Sequence, residues 1–279
     1  MTELENPTGL RVPGASLHYE LTGTGPVLLL IHGGVADSGI LHDFAGRLAD
    51  RHTVVAYDRR GYGGSALDGP DQQQSVELHA DDAHRLLTEL TDEPADVLGL
   101  SSGAFIGIEL ATRRPEQLRT LVAFEPPVVE LLPDREWFHA DGRETYEIYR
   151  REGAGAALAK FSNLVQDGSE AEPAGPPSDP DPEMLEFMAR MGRNAEFFFE
   201  HEYMQFGDWL PDLDALREAP GRIVIGGGEA SGTQPARRAA DALAERLGVQ
   251  VAEFPGDHGS GIMEQPDAFA ARLEAVLRG

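Results

Sequence analysis

A serine held between glycines is the clearest chemical feature of the chain. Residues 99–103 read Gly-Leu-Ser-Ser-Gly and follow a short apolar run. A G-x-S-x-G turn of this kind joins a strand to a helix and exposes the hydroxyl of its central residue, here Ser101. The next helix points free N–H groups and the positive end of its dipole at that hydroxyl. The turn therefore predicts Ser101 as a nucleophile, with the backbone N–H of Ser102 as a donor to an oxyanion.

Two more segments supply the groups that such a serine needs. His258 ends the sequence Pro-Gly-Asp-His at 255–258, and a histidine there fits the role of general base. Residues 32–34, His-Gly-Gly, follow an apolar run, where a second oxyanion donor is expected. That donor is Gly33 or Gly34, and the sequence does not choose between them. We expect His32 to support this loop rather than to act in the chemistry.

Taken in their order along the chain, these segments resemble the α/β-hydrolase superfamily, and the resemblance spans nearly the whole chain. It implies a catalytic triad in which Ser101 is the nucleophile and His258 the base. The acid is less obvious, because Ser231 stands where the family most often has an aspartate after the seventh strand. A serine cannot hold a charge against an imidazolium. Glu229 in the same loop is one substitute, and Glu125 at the end of the sixth strand is another.

Glu125 is the favoured acid for a structural reason. The sixth strand is expected beside the nucleophile strand, and Pro126 biases Glu125 towards an extended backbone. The two prolines that follow Glu125 make a stiff exit from the sheet, which would fix a carboxylate at its edge. Glu229, and an acid from elsewhere in the chain, remain alternatives.

Several short motifs narrow the resemblance further. They are the elbow Ser-Ser-Gly-Ala at 101–104, Glu-Pro-Pro at 125–127, the glycine run 226–228, Pro-Gly-Asp-His at 255–258 and Pro-Asp-Ala-Phe-Ala at 266–270. Together they resemble the fungal zearalenone hydrolases, lactonases that open a macrocyclic resorcylic ester with a Ser-His-Glu triad. The resemblance implies an ester or lactone substrate. Phe198 falls about where that family has a pocket tryptophan, and His32-Gly33 stands where it has Asp-Gly. The alternatives are a general carboxylesterase, a C–C bond hydrolase and a non-catalytic binding protein of the same fold.

The pattern of elements predicts how these residues are held. Strands and helices alternate over residues 10–125 and again after 222, which indicates an α/β fold with a mostly parallel, eight-stranded sheet and helices on both faces. Residues 1–125 and 217–279 form the predicted core. Residues 126–216 form a predicted helical cap inserted after strand 6, with helices around 143–165 and 183–205. These two helices are separated by a loop containing Pro173, Pro176, Pro177, Pro180 and Pro182. Phe198, Tyr203 and Trp137 in this cap are candidate substrate contacts. The polar turn 58–65 is expected only to shape the sheet edge.

Composition limits the partners. The 279 residues include 48 acidic and 23 basic side chains, a net charge of −25, which repels nucleic acids and anionic membranes. The expected partner is a small ester or lactone, with a homodimer left open.

No cysteine is present, so thiolate chemistry and cysteine metal sites are excluded. We predict no metal and no cofactor, because the histidine spacing suits no metal site and no phosphate loop with a lysine occurs. No signal-peptide pattern or membrane-length apolar run is visible, so a cytoplasmic location is expected.

Overall fold

The computed structural model describes residues 8–69, 73–166 and 181–279, and these ranges contain one sheet of nine strands. The strands are β1 (Thr8–Val12), β2 (Ala15–Thr22), β3 (Val27–Ile31), β4 (Thr53–Tyr57), β5 (Ala66–Leu67), β6 (Ala95–Leu100), β7 (Leu118–Phe124), β8 (Arg222–Gly228) and β9 (Ala252–Phe254). Their order is β1-β2-β4-β3-β6-β7-β8-β9, with β5 paired to β2. β1, β2 and β5 pair antiparallel to their neighbours, and the pairs from β4 through β9 are parallel.

This architecture confirms the predicted fold class, with one correction. The predicted sheet had eight strands, and the ninth is β5, a pair of residues directly after the turn that the sequence predicted at 58–65. A strand of two residues is too short to show an alternation of apolar and polar side chains. Ala66 and Leu67 become a strand only because they pair with Ser16 and Ala15 on β2.

Helices cover both faces of the sheet. They are α1 (His42–Leu48), α2 (Val76–Leu90), α3 (Ser102–Arg113), α4 (Arg135–Glu152), α5 (Ala154–Val165), α6 (Pro182–Phe197), α7 (Tyr203–Gly207), α8 (Leu213–Glu218), α9 (Pro235–Leu247), α10 (Gly261–Glu264) and α11 (Pro266–Arg278). Leu29 and Ile31 of β3 enter the core under α2, α3 and α9, whereas Leu28 and Leu30 enter the core under α1 and α11. Successive side chains of a strand point to opposite faces, so one buried strand serves both cores.

Between β7 and β8, the described residues form helices joined by loops and include no strand. The sequence predicted one helix over 143–165, but the structure has α4 and α5, divided at Gly153 with φ +88°. A second predicted helix, 183–205, is divided by a π-helical turn at Phe198–Glu202. Pro173, Pro176, Pro177 and Pro180 lie outside the described residues. Pro182 is the first residue of α6, where a missing N–H costs nothing, and the Asp181 carboxylate accepts from the Met184 N–H. The assignment of residues 126–216 to a separate cap, with 1–125 and 217–279 as core, stays a prediction.

In the part of the chain that the structure describes, no helix has the length and apolar character needed to cross a membrane.

Candidate active site

Ser101 lies in a strained turn between β6 and α3. Its backbone has φ +54° and ψ −121°, angles that residues with a side chain rarely adopt, and its N–H donates to the Phe124 carbonyl at 3.0 Å. A Cβ at Gly99 would lie 2.5 Å from the Gly103 carbonyl oxygen, and one at Gly103 would lie 2.3 Å from that of Ile31. The two glycines are therefore required for the turn to be this tight.

His258 connects Ser101 to a carboxylate. Its Nε2 lies 3.1 Å from Ser101 Oγ, and its Nδ1 lies 2.8 Å from Oε2 of Glu125. The loop that carries His258 follows β9 and is stabilised by Asp257, whose Oδ1 accepts from the N–H groups of Gly259 and Ser260. With Nδ1–H donating to the carboxylate, Nε2 is free to accept the serine proton. Serine, histidine and glutamate thus form one hydrogen-bonded line.

Glu125 is fully buried, and both of its carboxylate oxygens accept hydrogen bonds. Oε2 faces His258, and Oε1 accepts from the Gly228 N–H at 2.8 Å. The predicted extended backbone at Glu125 is wrong, because its φ is +44°. The chain turns out of β7 at this residue, and the two buried hydrogen bonds hold the carboxylate in place. A left-handed φ at a residue with a side chain costs on the order of 1–3 kcal/mol, which the surrounding contacts must offset.

The glycines at the end of β8 explain how the histidine loop comes so close. A Cβ at Gly228 would lie 2.6 Å from the Gly256 carbonyl oxygen and 2.9 Å from Asp257 Cα, so only glycine fits there. Ser231, at the position where an aspartate was expected, is 2% exposed and does not face solvent. Glu229 is exposed, and its N–H donates to the Phe254 carbonyl. The structure brings Glu125 to His258 and leaves Glu229 at the surface.

The His-Gly-Gly loop after β3 lies against the serine. A Cβ at Gly33 would lie 2.9 Å from Ser101 Cβ, whereas a Cβ at Gly34 would meet nothing within 4 Å. Ser102 begins α3, so its N–H has no acceptor within the helix. The backbones of Gly33 and Ser102 therefore both lie beside Ser101, where donors to an oxyanion are expected.

His32 is buried in this loop as a neutral ring. Its Nε2 accepts from the Arg59 N–H at 3.1 Å, so the ring proton is on Nδ1, which donates to the Gly33 carbonyl at 3.0 Å. Burial, together with the Arg59 charge, holds the pKa of His32 well below its ordinary value of 6.5. A neutral ring with both nitrogens in hydrogen bonds supports the backbone of the loop.

The three aromatic residues that the sequence suggested as substrate contacts lie in two places. Phe198 and Tyr203 belong to an aromatic cluster with Phe161 and Phe199, and Phe198 is 4% exposed. Trp137 is 55% exposed and contacts Phe138 edge to face. The contacts of Phe198 and Tyr203 are those of a packed core. A role for any of the three in binding substrate stays a prediction.

The polar turn 58–65 has far more contacts than a sheet-edge turn. Arg59 is fully buried and pairs with Glu202 at 2.8 Å, and Arg60 pairs with Asp82 through two hydrogen bonds of 2.6 Å. The Asp58 carboxylate accepts from the N–H groups of Ser38 and Gly64. Sequence reasoning missed these pairs. The available signal was a pair of arginines separated from a buried strand by one residue, since a buried arginine needs a partner.

One group of side chains outside this site has donors suited to a metal ion. Glu130, His139 and Asp208 each offer an atom within 4.8 Å of the others. Asp208 is distant in sequence from Glu130 and His139, so their spacing gave no signal of the group. His139 Nε2 lies 2.5 Å from Glu130 Oε1, and its Nδ1 lies 3.2 Å from Asp208 Oδ1. Each ring nitrogen of His139 therefore faces a carboxylate oxygen, and the three side chains contact one another directly.

Comparison with known proteins shows the family and the fold of the chain. Residues 28–272 match the family model described as "Alpha/beta hydrolase family". The chain is 36% identical over 272 residues to the "Uncharacterized hydrolase YraK" of Bacillus subtilis (strain 168), covering 96% of this chain and 94% of the relative. A thermophilic esterase from Thermogutta terrifontis has a TM-score of 0.72 at 23% identity, over 98% of this chain and 97% of its own. The enol-lactonase from Burkholderia xenovorans LB400 has a TM-score of 0.67 at 19% identity, over 98% and 100%. The chain belongs to the alpha/beta hydrolase family.

Proposed function

We propose that the protein is a serine hydrolase that cleaves a carboxylic ester or lactone through an acyl-enzyme. Ser101 is the nucleophile, His258 the general base and Glu125 the acid of its triad. The observation that carries the proposal is the continuous line from Ser101 Oγ through His258 to the buried Glu125 carboxylate, with contacts of 3.1 and 2.8 Å. These are the separations at which a serine proton can pass to a histidine and a carboxylate can stabilise the resulting imidazolium.

The reaction follows from the positions of these atoms. Ser101 Oγ attacks the ester carbonyl carbon while its proton moves to His258 Nε2. The negative oxygen of the tetrahedral intermediate accepts from the Ser102 N–H and from the N–H of Gly33 or Gly34. The intermediate collapses to an acyl-serine, and Nε2–H protonates the leaving alkoxide. His258 Nε2 then takes a proton from water as the water oxygen attacks the acyl carbon. The second tetrahedral intermediate collapses by breaking its bond to Ser101 Oγ, which recovers the proton from Nε2–H, and the acid is released.

Two observations support an ester or lactone as the substrate: the chemistry of the site and the similarity of the fold to that of known enzymes. A serine triad beside backbone N–H donors suits an acyl carbon, and both the esterase and the enol-lactonase named above share this fold. Within that class we propose a resorcylic macrolactone, because a glutamate acid at the end of β7 is the feature that the chain shares with the zearalenone hydrolases. The residues between β7 and β8, proposed as a cap, would cover the nucleophile and select the substrate.

Turnover by wild type and by Ser101→Ala tests the proposal. The panel comprises a short-chain aryl ester, a small lactone and zearalenone. We expect wild type to hydrolyse at least one of them, and Ser101→Ala to lose about a thousandfold or more in kcat while unfolding at the same temperature. Ser102→Ala is a matched control, because it removes a neighbouring hydroxyl and leaves the backbone donor. Equal turnover by wild type and Ser101→Ala would refute the serine mechanism, and cleavage of aryl esters without zearalenone would replace the lactonase by a carboxylesterase.

A further inference from the structure

The buried pair Arg59 and Glu202 links the helical segment to the loop beside Ser101. Both side chains are fully buried, and Arg59 Nη1 donates to Glu202 Oε2 at 2.8 Å. Glu202 is the last residue of the π-helical turn Phe198–Glu202. Arg59 follows β4 in the core sheet. A charged pair therefore joins two parts of the chain that are 143 residues apart.

The second amino group of Arg59 contacts the glycine loop. Nη2 donates to the Gly34 carbonyl oxygen at 2.9 Å, so one guanidinium holds Glu202 with one nitrogen and Gly34 with the other. A guanidinium is planar and its donors have fixed directions. Fixing the carboxylate that faces one nitrogen therefore fixes where the other nitrogen points.

The Gly34 carbonyl is one of two carbonyls in this loop that accept a hydrogen bond from a side chain. The Gly33 carbonyl accepts from His32 Nδ1 at 3.0 Å, so the peptide planes on both sides of Gly34 are held by a side-chain donor. In a trans peptide the N–H points opposite to the carbonyl. Holding the Gly33 carbonyl therefore sets the direction of the Gly34 N–H, and holding the Gly34 carbonyl sets the plane that follows.

Neighbouring side chains hold the Glu202 carboxylate in place. Tyr62 OH donates to the same Oε2 at 2.7 Å, and the Arg59 guanidinium carbon lies 4.4 Å from the centre of the Tyr62 ring. Burial and the Glu202 charge hold the pKa of Tyr62 well above its ordinary value, so the hydroxyl keeps its proton and donates. His79, whose Nε2 lies 3.8 Å from Glu202, is kept neutral by burial and by the charges of Arg59 and Arg60, which lower its pKa. Burial raises the pKa of Glu202 and the Arg59 charge opposes this rise, so the pairing with Arg59 favours the charged carboxylate.

We propose that Glu202 is a positioning residue for the oxyanion loop: through Arg59 it holds the peptide plane after Gly34. Because His32 holds the plane before Gly34, the two contacts together restrain the Gly34 backbone, whose N–H is one of the two candidate oxyanion donors. The proposal rests on the proposed function, because it requires that the Gly33–Gly34 backbone stabilises an oxyanion. Glu202 itself touches neither substrate nor Ser101. Its effect on the reaction passes through the arginine.

Glu202→Gln and a matched control test this role. Asp82→Asn is the control, because Asp82 forms the neighbouring buried pair with Arg60, and Arg60 contacts the Pro13 carbonyl rather than the glycine loop. The measurements are kcat and KM for an aryl ester, and the Kd of an aryl boronic acid, whose serine adduct carries the oxyanion. Removing one oxyanion donor outright costs about a hundredfold to a thousandfold in kcat, so displacing the donors should cost about tenfold to a hundredfold.

We expect Glu202→Gln to lower kcat by that factor at nearly constant KM and to weaken boronic acid binding in parallel. Asp82→Asn should lower stability while it keeps kcat and the boronic acid Kd within about twofold. Arg59→Lys keeps the charge beside Glu202 but replaces the two-nitrogen fork by one ammonium, and it should show the same losses as Glu202→Gln. This variant decides the matter if Glu202→Gln does not fold.

Three outcomes are distinguishable. A parallel loss of kcat and boronic acid affinity in the Glu202 or Arg59 variant, absent from Asp82→Asn, supports the positioning role. Folded variants with wild-type boronic acid affinity, or losses equal to those of Asp82→Asn, overturn it and leave a structural ion pair. A wild-type protein that neither turns over an ester nor binds the boronic acid at Ser101 contradicts the proposed function itself.

Discussion

Replacing Glu125 by glutamine is the most informative single perturbation of the site. Both carboxylate oxygens accept from N–H donors, one on His258 and one on Gly228. An amide has only one oxygen. If that oxygen faces His258, the amide NH2 meets the Gly228 N–H; if it faces Gly228, the NH2 meets His258 Nδ1 and favours the wrong histidine tautomer. Glu125→Gln therefore removes the charge in either orientation, and with it either the hydrogen bond to Gly228 or the histidine tautomer that the reaction needs.

The size of the effect follows from the contact distance. With Nδ1 and Oε2 at 2.8 Å, the centres of the imidazolium and carboxylate charges lie about 4 Å apart, an attraction of about 4 kcal/mol at an effective dielectric constant near 20. The imidazolium exists only after proton transfer, so this stabilisation is lost from the transition state. At about 1.4 kcal/mol per factor of ten, kcat should fall about a thousandfold. The tautomer effect extends the range to about ten-thousandfold, and KM should change little.

Steady-state hydrolysis of an aryl ester measures this loss, with circular dichroism to verify the fold. Glu229→Gln is the matched control: it removes the same charge from an exposed position after the next strand and should keep kcat within about twofold. A folded Glu125→Gln variant with kcat within tenfold of wild type would refute the reasoning. A severe loss in Glu229→Gln would instead identify Glu229 as the acid.

Two further predictions concern the glycine loop and the buried histidines. Gly33→Ala should lower kcat at least tenfold, because its Cβ would meet Ser101 Cβ at 2.9 Å, whereas Gly34→Ala, with nothing within 4 Å, should keep most activity; equal effects in ester assays would contradict this. His32 and His79 have pKa values held well below 6.5, first of all by burial, so the folded protein does not take up the protons that the unfolded chain binds. Their stabilisation is complete above pH 6.5 and falls as the pH drops towards the folded pKa values, by up to about 1.4 kcal/mol per pH unit for each histidine. His79→Gln should reduce this slope between pH 6.5 and 5.5 in urea unfolding, and an unchanged slope would argue against a buried neutral His79.

The sequence was sufficient for the features that depend on local pattern. The apolar runs of β3 and β6 and the glycines around Ser101 predicted a parallel sheet and a strand-to-helix turn, because both depend on neighbouring residues. Glu125 was favoured as the acid because its strand was expected beside the strand that carries Ser101. The prediction that the Glu125 backbone is extended was wrong. A propensity before proline cannot anticipate that buried hydrogen bonds to His258 and Gly228 hold φ positive.

Features that join distant segments were not predictable in the same way. Nothing near Arg59 indicates that its partner is Glu202, because the pairing depends on how the helices between β7 and β8 are placed. The division of the long predicted helices also depends on packing, as at Phe198–Glu202, where the π-helical turn lies between α6 and α7. The aromatic residues there fit a core or a pocket equally well in sequence, since both need large apolar side chains.

The carboxylate on β7 has a consequence for the loop after β8. On the proposed assignment, nucleophile and acid belong to adjacent strands, tied by the hydrogen bond from the Ser101 N–H to the Phe124 carbonyl. On this assignment no catalytic role falls to the exposed residues after β8, which are Glu229, Ala230 and Gly232. In the commonest arrangement of the family, this stretch supplies the acid. Side-chain changes at Glu229 and Ala230 should therefore cost little activity, whereas their backbone N–H groups donate to Phe254 and Gly256 and support the loop that carries His258. In this protein the segment is a place for evolutionary and engineering change.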